Sequence, residues 1–499
     1  MRPKRNFLFV GTTVVTLGVV AAVIGPTTSN QAAPLPVSAP FASSNGSKPP
    51  AGQYSGPLFA LSYAYPAVSK TPPMPWRTAI GNGLITTGNA GTYARALKQS
   101  IGGDMRILLE SYGNWNAAQR GWYNEPWLGP QREPIHGMYV GSSELGTQLF
   151  PKSGLTKPIS TYVLTYYNNT AAVTLNKIWG KTAQNPNITT TATQFAEGSI
   201  IVKASFITAD GNDWKPMKGA LVWPTYISTN ATRYPNLDGN GGGDPNASPP
   251  VLPVPPALTN LSFMQFDIIV KDSKSVPKTG WVFSTLVFDN RLQRGSGGVW
   301  DQMVVLGAQW GNDPQANDPR NPRPKLIENW NNPAAPIYGG ETFGWGQRLS
   351  GPNDGAMNDI VYDVSGKPVF AANAKNSSCM SCHSSAQWNT KNPAVGMESF
   401  LLPLTTPTPV APPPGSPPPY DYIAYSPAPG SPLWLKWFQN RKGTVPMDPG
   451  SVAADFDMVL TFKSLPAWYA ATTGQQHNLQ KHDYMGNRLG GRAATSGTK

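Results

Sequence analysis

The amino-acid sequence predicts an α+β protein, with a large β-rich domain at residues 57–360 and a small, mainly α-helical domain at residues 361–472. Segments with strand character cluster between residues 160 and 289. Glycine (50) and proline (52) make up about a fifth of the 499 residues, which is typical of chains rich in turns and β structure. A helix-like pattern resumes late in the chain, at SPLWLKWFQNRKG (431–443).

The elements of the large domain are predicted from the spacing of apolar residues. In chain order they are a helix interrupted by Gly102 and Gly103 (92–111), a strand (160–167), a short helix (171–179) and four strands (198–207, 218–224, 261–271 and 280–289). One strand has apolar residues at a spacing of two, which predicts a half-buried strand: Met264, Phe266, Ile268 and Val270.

The N-terminal segment has the pattern of an export signal. MRPKRN precedes an apolar stretch of 18 residues, FLFVGTTVVTLGVVAAVI, and small polar residues follow. Residues 1–33 are therefore expected to be a signal peptide cleaved near Ala32 or Ala33, or else an N-terminal anchor in the inner membrane. We expect a periplasmic or extracellular protein. Three further segments are predicted from composition: a Pro/Ser/Gly-rich linker (34–56), a Pro-rich insert of extended polyproline geometry (406–432) and a polar tail (473–499).

The charge pattern argues against a nucleic-acid partner. The formal net charge is +12, but charged residues make up only 13% of the chain. The basic residues are scattered, without a run of Lys and Arg interleaved with aromatic residues. They predict a solvated surface or a face for an acidic partner.

The stretch SSCMSCHSSA (377–386) contains both cysteines of the chain, Cys379 and Cys382, followed at once by His383. A disulfide would explain the cysteines but not the histidine. A thioredoxin-like pair requires a βαβ pattern, which is absent from the surrounding sequence. A structural zinc site needs four ligands, and the chain has only three other histidines and no second C-x-x-C.

The remaining interpretation is covalent haem attachment, for which C-x-x-C-H is the recognised signal. Thiols at positions i and i+3 of one helical turn can reach the two vinyl groups of a haem and form thioethers. The residue that follows, His383, can then bind the iron as the proximal ligand. This interpretation predicts one covalently bound haem c.

GKPVFAANAKNSSCMSCHSSA (366–386) resembles the start of a bacterial monohaem c-type cytochrome domain. Val369 and Phe370 match the apolar-aromatic pair of that family, although they lie farther from Cys379 than is usual. The resemblance covers about 100 residues, is specific only at CMSCH, and the Pro-rich insert departs from it. It implies a small helical haem domain that transfers electrons to or from a redox partner protein.

In the resembled family a methionine on a loop flanked by Pro or Gly binds the far side of the iron. GTVPMDPG (443–450) places Met447 in such a loop, 64 residues after His383 (447 − 383). The resemblance therefore implies Met447 as the distal ligand. An open sixth position and six other residues remain as alternatives: Met397, Met458, Met485, His136, His477 and His482.

A haem enzyme is the alternative function. FAEGSIIVKASF (195–206) faintly resembles the β-rich haem proteins of the cytochrome P-460 type, in which the attachment motif follows the strands. Such a fold, or a peroxidase-like one, keeps an open iron position for small nitrogen species or peroxide. In those proteins little chain follows the motif, whereas 116 residues follow His383 here (499 − 383). A binding module built on the 16 Trp and 19 Tyr residues is a third possibility.

No catalytic residue is predicted, because the sequence contains no G-x-S-x-G, P-loop or H-E-x-x-H motif. Asp238 to Asp244 alternates oxygen ligands with glycines, as calcium loops do, but lacks the bidentate glutamate of an EF-hand. We expect it to be a flexible loop. Asp313 and Asp318 are expected in a turn-rich surface loop rather than in a paired-carboxylate site.

Overall fold

A nine-stranded antiparallel sheet forms the centre of the molecule. Its strands are β1 (Trp122–Tyr123), β2 (Tyr139–Leu145), β3 (Ile159–Asn168), β4 (Ile200–Ile207), β5 (Val222–Ile227), β6 (Ala257–Lys271), β7 (Trp281–Phe288), β8 (Met303–Gln309) and β9 (Asn329–Asn331). They lie in the order β1-β3-β4-β6-β7-β8-β9, with β2 also paired to β3 and β5 to β6. The computed structural model describes residues 39–145, 147–228, 254–318, 320–321, 323–353, 378–391, 393 and 432–474, and four short strands at 361–362, 368–369, 408–410 and 422–424.

Short strands and helices complete the fold. The short strands form three antiparallel pairs: β10 (Val361–Tyr362) with β11 (Pro368–Val369), β12 (Gln387–Trp388) with β15 (Val452–Ala453), and β13 (Thr408–Val410) with β14 (Tyr422–Ala424). The helices are α1 (Pro75–Thr78), α2 (Ala90–Glu110), α3 (Asn169–Trp179), α4 (Ile337–Gly340), α5 (Cys379–His383), α6 (Pro432–Trp437) and α7 (Leu465–Thr473), which follows a π-helical turn (Leu460–Ser464). Single 3₁₀ turns lie at Tyr112–Asn114, Gly129–Gln131, Thr147–Leu149, Lys215–Met217, Val299–Gln302, Pro314–Ala316 and Trp345–Gln347.

The predicted elements of the large domain are confirmed, with two corrections. The helix α2 is continuous through Gly102 and Gly103. A Cβ atom on Gly102 would lie 2.9 Å from Nε1 of Trp300, so this glycine allows close packing against the tryptophan. The predicted half-burial of β6 is also wrong, because the strand is buried on both faces from Leu261 to Val270.

Two apolar clusters cover the two faces of the sheet. The first contains the alternating residues of β6 and the buried side of α2, including Phe266, Ile268, Leu97 and Met105. The second contains the intervening Ile269 and residues of β3, β7, α3 and the C-terminal part of the chain: Tyr167, Phe283, Leu175, Met380, Phe456 and Leu465. The C-terminal part of the chain therefore supplies the cover of the second face.

The helix α5 packs directly on this second face, and the described residues do not show a separate cytochrome c-like domain. The predicted boundary at residue 360 lies outside the described residues. The described part of the predicted linker contacts the body of the fold, since the Phe41 ring stacks 4.3 Å from that of Tyr63. Six described residues of the Pro-rich insert form the antiparallel pair β13–β14 instead of polyproline geometry.

The predicted export segment lies outside the described residues, as does the tail beyond Gly474. Within the described ranges, no helix has both the length and the apolar character that membrane crossing requires.

Candidate functional site

The CMSCH motif forms the one-turn helix α5, which begins with a capping box. The Ser378 hydroxyl accepts the N–H of Ser381 at 3.1 Å, and the Ser381 hydroxyl accepts the N–H of Ser378 at 2.9 Å. Two N–H groups that no helical carbonyl can reach are satisfied in this way. The helical turn places Cys379 and Cys382 on neighbouring positions of the same side.

The sheet and a neighbouring loop hold the start of α5 through hydrogen bonds. Gln309, the last residue of β8, accepts the N–H of Met380 at 2.9 Å and donates from Nε2 to the Ser378 hydroxyl at 3.1 Å. The N–H of Cys379 donates to the Leu349 carbonyl at 2.9 Å. The Met380 side chain is fully buried. The position of the motif is therefore fixed by the central sheet.

Both thiols are partly exposed. Within the described ranges, no three histidine, cysteine, aspartate or glutamate side chains gather as a metal site would.

The His383 ring is held by a backbone carbonyl. Its Nδ1 atom lies 2.8 Å from the carbonyl oxygen of Phe456. A carbonyl oxygen can only accept, so Nδ1 carries the proton and Nε2 carries the lone pair of the neutral imidazole. On its face, the ring packs 4.7 Å from that of Phe283 in β7. A fixed tautomer and a fixed ring orientation are what a metal-ligating histidine requires.

Met447 lies in a partly exposed turn that is tied to the segment after α5. The N–H of the next residue, Asp448, donates to Oε1 of Gln387 at 2.9 Å, and Nε2 of Gln387 donates back to the Asp448 carboxylate at 2.6 Å. Gln387 follows His383 by four residues and pairs with β15. The Met447 turn is thus held to the segment that directly follows the motif, although Met447 belongs to neither of the two apolar clusters of the described residues.

Of the other candidate ligands, two lie within the described residues and four lie outside them. Met458 packs against the cluster on the second face, as expected of a core residue. His136 is a core residue of the first face, stacked 4.0 Å from Trp223, and burial lowers its pKa to about 3. The rest lie outside the described residues: Met397, His477, His482 and Met485.

The guanidinium of Arg441 is largely buried and lies near Asp448, the residue after Met447. Arg441 donates from Nη2 to the Lys436 carbonyl, while its Nη1 atom is buried and has no hydrogen-bond partner among the described residues. Burial lowers the pKa of Arg441 to about 10, against the opposing effect of the Asp448 charge. A buried guanidinium nitrogen with no partner costs free energy, and an anionic group would satisfy it.

Of the two acidic segments, the one with Asp313 and Asp318 lies within the described residues. Asp313 is fully buried, which corrects the expectation of a surface position, and it accepts the N–H groups of Ile327 and Glu328 at 2.7 and 3.0 Å. Asp318 pairs with the exposed Arg320 at 2.9 Å. The segment from Asp238 to Asp244 lies outside the described residues.

Two residues that support the motif gave no signal in the sequence. Phe456 acts through its backbone carbonyl, which no side-chain pattern reveals. Gln309 is a single polar residue that reaches Ser378 and Met380 from about 70 positions away in the chain. Comparisons of the chain with protein-family models, with curated proteins and with solved structures find no match.

Proposed function

We propose that this chain is an exported monohaem c-type cytochrome that transfers electrons. Haem c would be bound to Cys379 and Cys382, with His383 as the proximal iron ligand. The observation that carries the proposal is the 2.8 Å hydrogen bond from Nδ1 of His383 to the Phe456 carbonyl. It holds the histidine after the two cysteines in the tautomer that ligates a metal through Nε2.

The residues around the motif fit a haem. The two thiols lie one helical turn apart, as thioether formation with two vinyl groups requires. The unpartnered Nη1 of Arg441 fits the carboxylate of a haem propionate. When bound, the haem iron would accept and release one electron.

Met447 is the proposed distal ligand. Its turn is fastened to Gln387, close in sequence to His383, by the two hydrogen bonds of Asp448. A thioether ligand favours Fe(II) and raises the reduction potential, which suits an electron carrier. The redox partner is proposed to be a protein outside the cytoplasm, where the N-terminal segment directs the chain.

A haem enzyme with an open iron position is the second candidate, and one observation favours it. The motif helix packs on the face of an antiparallel sheet, with the His383 ring 4.7 Å from Phe283 of β7. A sheet next to the attachment motif matches the β-rich, P-460-type alternative better than it matches a small helical domain. The substrates would be small nitrogen species or peroxide.

The test is expression of the full chain in a bacterium with a periplasmic system for c-type cytochrome maturation. We expect a red protein that gives a pyridine haemochrome spectrum and keeps its pigment in acidified organic solvent. The Cys379→Ala/Cys382→Ala variant is the control and should lose that pigment. A colourless protein, or pigment that extracts into the solvent, overturns the proposal. A high-spin resting spectrum with peroxide turnover would favour the enzyme.

A further inference from the structure

The Phe456 carbonyl, which accepts the hydrogen bond from Nδ1 of His383, belongs to a strained turn. Asp455 and Phe456 both have left-handed backbones, with φ of 45° and 71°. Two consecutive non-glycine residues in this region are uncommon, above all when one is bulky, and they persist only where the surroundings hold them. Some part of the fold must therefore stabilise this turn.

The Asp455 carboxylate provides that support, and the central sheet holds the carboxylate. It is fully buried and accepts hydrogen bonds from Lys271 of β6 and Trp281 of β7, each at 2.7 Å. The N–H of Phe195 adds a third donor at 2.9 Å. Three donors of different types, one of them charged, fix both carboxylate oxygens in place.

Gly443 brings the same carboxylate against the turn that carries Met447. A Cβ atom on Gly443 would lie 1.6 Å from Oδ1 of Asp455, so only glycine fits there. The Gly443 carbonyl accepts a hydrogen bond from Nε2 of Gln194 at 3.1 Å. Asp455 therefore contacts both the turn behind His383 and the start of the Met447 turn.

We infer that Asp455 is a positioning residue: held by Lys271 and Trp281, it keeps the left-handed turn that directs the Phe456 carbonyl at Nδ1 of His383. The geometric part of this inference concerns the protein alone. Its redox consequence rests on the proposed function. A hydrogen bond from Nδ1 makes the imidazole a stronger donor to a metal and so favours Fe(III). Weakening the bond should raise the reduction potential.

The first measurement uses the full chain prepared without haem. Nitrogen-15 labelling of histidine gives signals from four imidazoles, and His383→Gln assigns the one in question. We expect His383 to be the Nδ1–H tautomer in the wild type. In Asp455→Asn, the population of the Nε2–H tautomer should rise several-fold. Trp281→Phe removes one donor to the carboxylate and should give a smaller shift in the same direction, should the Asp455 variant fail to fold.

The second measurement is the midpoint potential of the haem-loaded protein. It should rise in Asp455→Asn, and it should still rise in Lys271→Met/Asp455→Asn, in which net charge is unchanged. Asp272→Asn is the matched control. Asp272 is equally buried and accepts a hydrogen bond from the Tyr93 hydroxyl at 2.9 Å, but within the described residues none of its hydrogen bonds involves Asp455 or Phe456. It should lower stability and leave the His383 tautomer and the potential unchanged.

The two measurements distinguish failure of the positioning role of Asp455 from failure of the proposed function. A wild-type tautomer of His383 in both Asp455→Asn and Trp281→Phe would overturn the positioning role of Asp455. A shift of tautomer in a chain that never acquires haem would support that role while removing the proposed function.

Discussion

Nδ1 of His383 donates to the carbonyl oxygen of Phe456 across 2.8 Å, although the two residues lie 73 positions apart in the chain. The motif and the C-terminal segment therefore form one site, which neither segment forms alone. The proximal histidine of the proposed haem depends on a backbone group that is synthesised long after the cysteines. This dependence makes the site testable by changes far from the motif.

Met447→Ala is expected to abolish the near-infrared charge-transfer band that a methionine–iron bond gives in the ferric protein, because the proposed sixth ligand is lost. The potential should fall as well, since the thioether favours Fe(II). The matched variant is Met458→Ala, which removes a methionine packed in the cluster on the second face and should keep the band. Loss of the band in Met458→Ala alone would reassign the ligand.

Gln309→Leu is expected to destabilise the protein by about 1–3 kcal/mol, because it leaves the buried Met380 N–H without its partner and removes one hydrogen bond of the Ser378 hydroxyl. Denaturant unfolding at fixed pH measures the loss. The yield of covalent haem should fall in parallel, since the start of α5 is no longer fixed. Gln302→Leu, which removes a hydrogen bond of 2.8 Å to the Leu292 carbonyl, should cost stability but leave the haem yield unchanged.

Arg441→Met is expected to lower the midpoint potential, because loss of a positive charge near the proposed haem favours Fe(III). Spectroelectrochemistry measures the potential. Arg106→Met is the control, since Arg106 belongs to an exposed pair with Asp301. An unchanged potential in Arg441→Met would place this guanidinium away from the haem.

The free energy of unfolding should decrease as the pH rises from about 5 to 7, because three buried carboxyls with raised pKa outweigh His136, whose lowered pKa acts in the opposite direction. Burial raises the pKa of Asp457 to about 6, with a further contribution from the Asp455 charge, and raises the pKa of Glu133 to about 7. Burial also raises the pKa of Glu125. These groups bind protons more tightly in the folded state than in the unfolded chain. Their contribution to stability is complete below the unfolded pKa and is lost as the pH rises through the folded one.

Asp457→Asn should flatten that pH dependence by up to about 1.4 kcal/mol per pH unit, the limit for one proton. The asparagine keeps an acceptor for the Tyr167 hydroxyl, which lies 2.9 Å from the Asp457 carboxylate. Denaturant unfolding at several pH values provides the slope. Asp210→Asn should retain the wild-type slope, because backbone N–H groups of Asn212 and Asp213 lower the pKa of this exposed carboxyl. Equal slopes in Asp457→Asn and the wild type would contradict the prediction.

Sequence patterns identified what depends on local spacing. The alternation of apolar residues in β6 places Phe266 and Ile268 in the same cluster, as predicted. The burial of the opposite face was not predictable, because its cover comes from residues more than a hundred positions later, such as Met380 and Phe456.

The same contrast between local spacing and contacts from distant segments applies to the candidate site. The spacing of Cys379, Cys382 and His383 is local, and the sequence alone indicates its chemistry. The Phe456 carbonyl, the Gln309 amide and the Asp455 carboxylate reach the motif only through the packing of distant segments. A backbone acceptor leaves no trace in residue type. The supports of the site therefore needed the three-dimensional structure, whereas the proposed haem-binding residues were predicted from the sequence.

The pairing of β12 with β15 closes a long loop. The chain leaves the site at Gln387 and Trp388 and returns beside them at Val452 and Ala453. The entropic cost of closing such a loop grows only with the logarithm of its length, so that doubling it costs about 0.6 kcal/mol. The Pro-rich stretch between the two strands can therefore lengthen, shorten or diverge during evolution at little thermodynamic expense. Variation there can adapt the molecule to new surroundings while His383 keeps its place.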